Sequence, residues 1–214
     1  MASGPYQRPS LRRRAAESED GMMSELVDAK HTSTGLDSRK LGMWIFLATE
    51  VMLFSSLISG FLNMRGRSPA TANHVLNIPL TAVNTLILIV SSTAVVMALS
   101  AIQEGNQKQL RNYLLLTLLL GATFLGIQVS EYRHLIVVDH FTPSGSLFAG
   151  GFFTVTGFHG FHVFIGLCWV TGLIIQTLKG KFSAAEHMRI EIFGLYWHFV
   201  DVVWIILFTI IYLL

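Results

Sequence analysis

The chain has 214 residues, 52% of them hydrophobic and only 13% charged, with a formal net charge of +2 and a mean hydropathy of +0.55. Ordinary soluble domains carry roughly 25% charged residues, so most of this chain is built for lipid rather than water. The small net charge, with no basic stripe interleaved with aromatics, argues against a nucleic-acid partner, and a lone cysteine, Cys168, excludes an internal disulfide framework.

Residues 1–37 are polar. They contain Arg12-Arg13-Arg14, then Glu17, Glu19 and Asp20, with no apolar block after the arginines such as a secretory signal needs. The expectation is a largely disordered tail followed by a membrane domain over 38–214. About 20 apolar residues cross a bilayer as a helix, and five such segments follow, at about 41–63, 78–102, 110–131, 147–178 and 190–213. They are too long for strands. The predicted fold is therefore an all-α membrane protein, a bundle of five transmembrane helices.

The first span, KLGMWIFLATEVMLF and onward, is apolar except for Glu50 near its middle. In the second, Ala94 and Ala98 stand at a helical spacing that lets helices approach closely, as Ser55/Ser59 and Ser56/Gly60 do in the first. The third ends on Glu131, and the fifth opens on Glu191; both are read as interface carboxylates. The fourth span carries His159 and His162 one turn apart, and places Cys168 where a small buried apolar residue is expected. The fifth carries His198 and Asp201 in the same i, i+3 relation. Trp44, Tyr113, Tyr132, Trp197 and Tyr212 lie near predicted span ends, as interfacial anchors do, and like the small residues are read as bundle packing.

An ionised group at the centre of a membrane helix costs roughly 2.5–3.5 kcal/mol. Glu50, His159, His162, His198 and Asp201 are therefore expected to face protein rather than lipid. Glu50 is assigned a protein-facing role, and His198 with Asp201 a structural one, locking the fifth helix to a neighbour. The HxxH pair could ligate a metal, but a site needs further donors; histidines that bond across helices are the commoner arrangement in a bundle. Near the span ends, Lys30, Arg39, Lys40, Lys108, Arg111, Lys179, Lys181 and Arg189 fall on one side, against Arg65, Arg67 and Arg133 on the other. The excess of basic residues predicts an N-terminus inside and a C-terminus outside.

Four stretches, KLGMWIFLATEVMLF, SEYRHL, TGFHGFHVFIGL and YWHFVDVVWIILFTIIYL, together resemble subunit III of the haem–copper terminal oxidases. Pro79-Leu80 with Asn84-Thr85, and Glu104-Gly105, are similar as well, and the likeness runs from about 38 to 214. The resemblance implies an accessory subunit of a respiratory oxidase in the bacterial cytoplasmic membrane, in a complex that reduces oxygen to water and pumps protons. No cofactor is expected in this chain; haem and copper belong to the partner subunits. Subunit I would be the direct partner, subunit II a member of the same complex, and phospholipids bound ligands; a respiratory supercomplex is compatible with this. In the family the carboxylate matching Glu50 reacts with a hydrophobic carbodiimide, and the histidines matching His159 and His162 lie by a lipid-holding cleft. The implied role is to stabilise subunit I and sustain its proton uptake.

Independently of the likeness, the chain has too few membrane-centred histidines for a haem–copper core, and one cysteine where a bridged copper centre needs a pair. It departs from the seven-helix form of the family by lacking the first two helices, which in some bacterial complexes are appended to subunit I. The five-helix form also occurs in quinol oxidases. Glu50 and TGFHGFH favour the cytochrome c-oxidising branch, with a quinol oxidase or the related subunit of a nitric oxide reductase as the alternative. A proton-coupled transporter is the remote alternative, and neither inverted repeats nor broken helices support it.

Overall fold

The computed structural model describes residues 37–67, 76–180 and 187–214. Two compact units are distinguished, Met1–Ile45 and Phe46–Leu214. Of the first, the described residues are the start of helix α1 (Ser38–Arg65). Asp37 begins that helix: its carboxylate accepts from Arg39 N at 2.9 Å, and its carbonyl accepts from Lys40 N and Leu41 N. The polar tail expected over 1–37 lies, up to residue 36, outside the described residues.

The other helices are α2 (Ile78–Gln103), α3 (Gln107–Val137), α4 (Leu147–Leu178) and α5 (Met188–Phe208), the last continued by a π-helical turn over Thr209–Leu213. All five are long and apolar enough to cross a membrane. Their starts are set by local chemistry. Asn77, Asn106 and Ser146 cap α2, α3 and α4, each side chain accepting a backbone N–H three residues on, and Pro79 occupies the first turn of α2, where no N–H is needed.

The α2–α3 connection is three residues long. Gly105 has φ of +75°, and Gly105 N and Asn106 N donate to Ile102 O and Ala101 O, which closes α2 with a Schellman motif. Asn106 then caps the next helix, so one short segment both ends α2 and starts α3. Gly105→Ala is expected to cost about 1 kcal/mol, because only glycine adopts this left-handed backbone freely. A chemical-denaturation midpoint of the purified protein checks it, with the helix-interior Gly172→Ala as reference.

Helices α2, α3, α4 and α5 close into a ring, α2 packing on α3 and α5, and α4 on α3 and α5. Trp197 of α5 lies at its centre, 1% exposed. A Cβ added to Gly166 of α4 would come within 2.6 Å of the indole, and one added to Gly121 of α3 within 2.9 Å. The two glycines thus form a slot for the ring, and its Nε1 donates to Ser91 Oγ of α2 at 3.0 Å. One side chain therefore touches every helix of the ring. The side chain packs inside the bundle, and the indole N–H finds its partner there. Tyr212 is likewise buried.

Helix α1 joins the ring through a narrower seam. Its buried residues are Leu47, Phe54 and Phe61, one every seven positions. Phe54 meets the rings of His162 and Phe199, and Phe61 meets Phe148. The small residues Ser55, Ser56 and Ser59 are exposed instead of packing, whereas Ala94 and Ala98 of α2 are buried as expected. Cys168 also departs from expectation, since it is exposed on the outward face of α4. At about 1.5 Å per residue, α4 with its 32 residues reaches past a hydrocarbon layer of roughly 30 Å.

Candidate functional site

The predicted intramembrane residues fall in three places. The first is the α1–α4 seam, where His162 Nε2 lies 3.1 Å from Glu50 Oε2. Both groups are largely shielded, their side chains 9% and 14% exposed. His162 Nδ1 lies 2.7 Å from Phe158 O. A carbonyl only accepts, so Nδ1 carries a proton, and the second contact then needs one proton between Nε2 and Oε2. Either Glu50 donates as a neutral acid or His162 donates as a cation, and in both forms the pair carries no net charge. Phe54 packs on the imidazole, and Tyr196 O–H donates to His162 O at 2.9 Å, which fixes this part of α4 against α5.

The second place is the α2–α5 interface, where polar bonds form an antiparallel ladder. Trp204 Nε1 donates to Thr85 Oγ1 at 2.9 Å, Trp197 Nε1 to Ser91 Oγ, and His198 Nδ1 contacts Ser92 Oγ at 2.6 Å. His198 makes its bond to α2 alone. No ion pair with Asp201 is present among the described residues; the Asp201 carboxyl faces Ser92, and its Oδ1 has no partner. The two residues share one face of α5, and both are directed at Ser92 of α2, so they act between helices without touching each other.

The third place is the end of the ring where α3 finishes. Helix α3 continues six residues past the predicted limit of 131, and Glu131, 6% exposed, is buried within the bundle. Thr81 and Tyr212 hydroxyls approach its Oε1 at 3.1 and 3.5 Å. With these bonds supplied by α2 and α5, the helix has no reason to stop there. Glu131 also lines a cavity of about 550 Å³ with Asn77, Ser130, His134 and Asp139. Glu191 stands in the first turn of α5, half-buried.

His159 is not part of the Glu50 pair. It is 1% exposed, stacks on Trp204 with centroids 4.9 Å apart, and receives the edge of Phe124. The residues missed in the sequence are small polar ones, Thr81, Ser91 and Ser92 of α2 and Gln128 of α3, while Asn84 and Thr85 were noted only for the family likeness. Their signal was available: positions 81, 84, 85, 91 and 92 repeat at helical spacing inside an apolar run. Among the described residues no group of three or more His, Cys, Asp or Glu is placed to hold a metal ion. A second cavity, of about 610 Å³, lies between α1 and α4, lined by residues that include Ser56, Gly60, Phe61, Gly151 and Thr154.

A ring of apolar helices cross-linked by isolated polar bonds defines an integral membrane bundle whose titratable groups join helices. The sequence matches the family described as cytochrome c oxidase subunit III over residues 18–214. It is 36% identical over 202 residues to cytochrome c oxidase subunit 3 of Alkalihalophilus pseudofirmus, covering 88% of this chain and 98% of that one. It is 38% identical over 193 residues to cytochrome c oxidase subunit 3 of Thermostichus vulcanus, covering 88% and 93%. To quinol oxidase subunit 3 of Bacillus subtilis it is 38% identical over 176 residues, covering 81% and 86%. The chain belongs to the cytochrome c oxidase subunit III family and is a subunit III of a haem–copper oxidase.

Proposed function

We propose that the chain is the non-catalytic subunit III of a proton-pumping cytochrome c oxidase, holding no redox centre and stabilising the subunit that does. The observation that carries this reading is the use made of its polar groups: Glu50, His198 and Glu131 each bond to a neighbouring helix. In this reading subunit I is the direct partner, with haem and copper in the partner subunits, and subunit II completes the complex in a bacterial cytoplasmic membrane. The N-terminus faces inward, and the cavity between α1 and α4 accommodates phospholipid. Expression with an affinity tag and gentle extraction is expected to co-purify a haem- and copper-containing partner. Stoichiometric haem on the isolated chain would overturn the reading.

Glu50 and the TGFHGFH motif support cytochrome c as the electron donor. A quinol-oxidising complex is the second reading, favoured by the similarity to a relative named as a quinol oxidase subunit. Oxidation of reduced cytochrome c by the purified complex is the expected result; turnover with quinol alone would select the second reading. Glu50→Gln is expected to leave pumping stoichiometry and most turnover intact, because the amide can still donate to His162 Nε2. Proton release by reconstituted complex after an oxygen pulse checks this, and lost pumping with normal oxygen consumption would assign Glu50 a relay role.

A further inference from the structure

Seven buried side-chain atoms lack a protein hydrogen-bond partner among the described residues: Asn84 Oδ1, both amide atoms of Gln128, Glu131 Oε2, both ring nitrogens of His159, and Asp201 Oδ1. Five of them belong to one neighbourhood. Asn84 Nδ2 donates to Phe124 O at 3.2 Å, which leaves Oδ1 to accept from something else. Gln128 follows Phe124 by one turn of α3, its amide near the Tyr132 hydroxyl but outside good hydrogen-bond geometry, and the Phe124 ring meets His159 edge-on. Tyr132, one turn beyond Gln128, bonds to Thr156 Oγ1, one turn before His159 on α4. Three helices thus present donors and acceptors to the same interior layer, between the packed Trp204 and the carboxyl of Glu131.

We infer that this layer is a binding site for water, a small internal cluster that bridges Asn84, Gln128 and His159. Buried polar groups in folded proteins are satisfied by protein or by ordered water, and each buried water makes about three hydrogen bonds. Five orphan atoms on three side chains therefore call for on the order of two such molecules. Water suits them chemically: Asn84 Oδ1 needs a donor, while neutral His159 needs one donor and one acceptor, and the Gln128 amide offers both functions. The inference is independent of which electron donor the complex uses.

The test is hydroxyl-radical labelling of the intact purified complex by X-ray radiolysis of water, with oxidation read by mass spectrometry. Trp204 and Trp197 are equally buried, at 0% and 1% exposure, so exposure cannot separate them. Trp204 stacks on His159, whereas Trp197 sits in its glycine slot. Bound water beside His159 is expected to make Trp204 label faster than Trp197. Gln128→Leu, similar in volume, removes two of the orphan atoms and is expected to lower the Trp204 rate towards that of Trp197. Equal rates in the unmodified protein, or a Trp204 rate unchanged by Gln128→Leu, would overturn the inference. So would a rise in thermal midpoint in Gln128→Leu, because a dry layer gains when unpartnered polar atoms are removed.

Discussion

Gly166→Ala is expected to destabilise the chain by about 3 kcal/mol, the upper end of what overpacking a filled core usually costs. The new Cβ would stand 2.6 and 2.8 Å from two carbons of the Trp197 ring. A flexible side chain could swing clear; a rigid indole cannot. Gly121 crowds two other carbons of the same ring, and the indole Nε1 is tied to Ser91 Oγ. Gly121→Ala should cost less, because Leu167, one of its two close neighbours, can change rotamer. Gly172→Ala meets nothing within 4 Å and should be neutral or slightly stabilising, since alanine is the better helix former. Thermal unfolding midpoints in one detergent give the order, and a Gly166 variant as stable as the Gly172 variant would sink the slot description.

The second large effect concerns Glu50 and His162. Glu50→Leu leaves His162 Nε2 unpartnered in an apolar seam, and His162→Leu leaves the Glu50 carboxyl so. Each is expected to cost about 1–3 kcal/mol, the usual penalty for stranding a buried polar group. The double variant removes both partners and should recover most of the loss, giving a coupling energy of about 1–3 kcal/mol. The haem Soret band of the complex should not move in any of the three variants. Additive losses in the double-mutant cycle would show that the 3.1 Å contact contributes nothing.

The five spans were legible in the sequence because membrane thickness fixes helix length and composition marks each segment. The fourth was placed at its observed limits, 147–178, since Ser146 caps one end and Lys179-Gly180 closes the other. The third was cut short at Glu131 because a carboxylate beside tyrosine and arginine looks like a bilayer surface. Only the pairing of α3 with α2 and α5 shows that one oxygen of the acid, Oε1, finds hydroxyl partners inside. Glu50 and His162 stood out as ionisable residues in apolar runs, yet they are 112 positions apart, and periodicity carries no information on such pairings. The hydroxyl ladder of α2 was passed over because serine and threonine hardly disturb an apolar profile.

The shared proton of Glu50 and His162 has an electrical consequence. Moving it from one group to the other displaces charge by no more than the 3.1 Å between the two atoms. That is about a tenth of a hydrocarbon layer roughly 30 Å thick. A full elementary charge crossing the membrane is worth about 2.3 kcal/mol per 100 mV, so the transfer within this pair is worth at most about 0.2 kcal/mol. An energised membrane, which drives charge movement elsewhere in a respiratory complex, therefore has almost no leverage on this junction, and the attachment of α1 is insulated from the voltage across it.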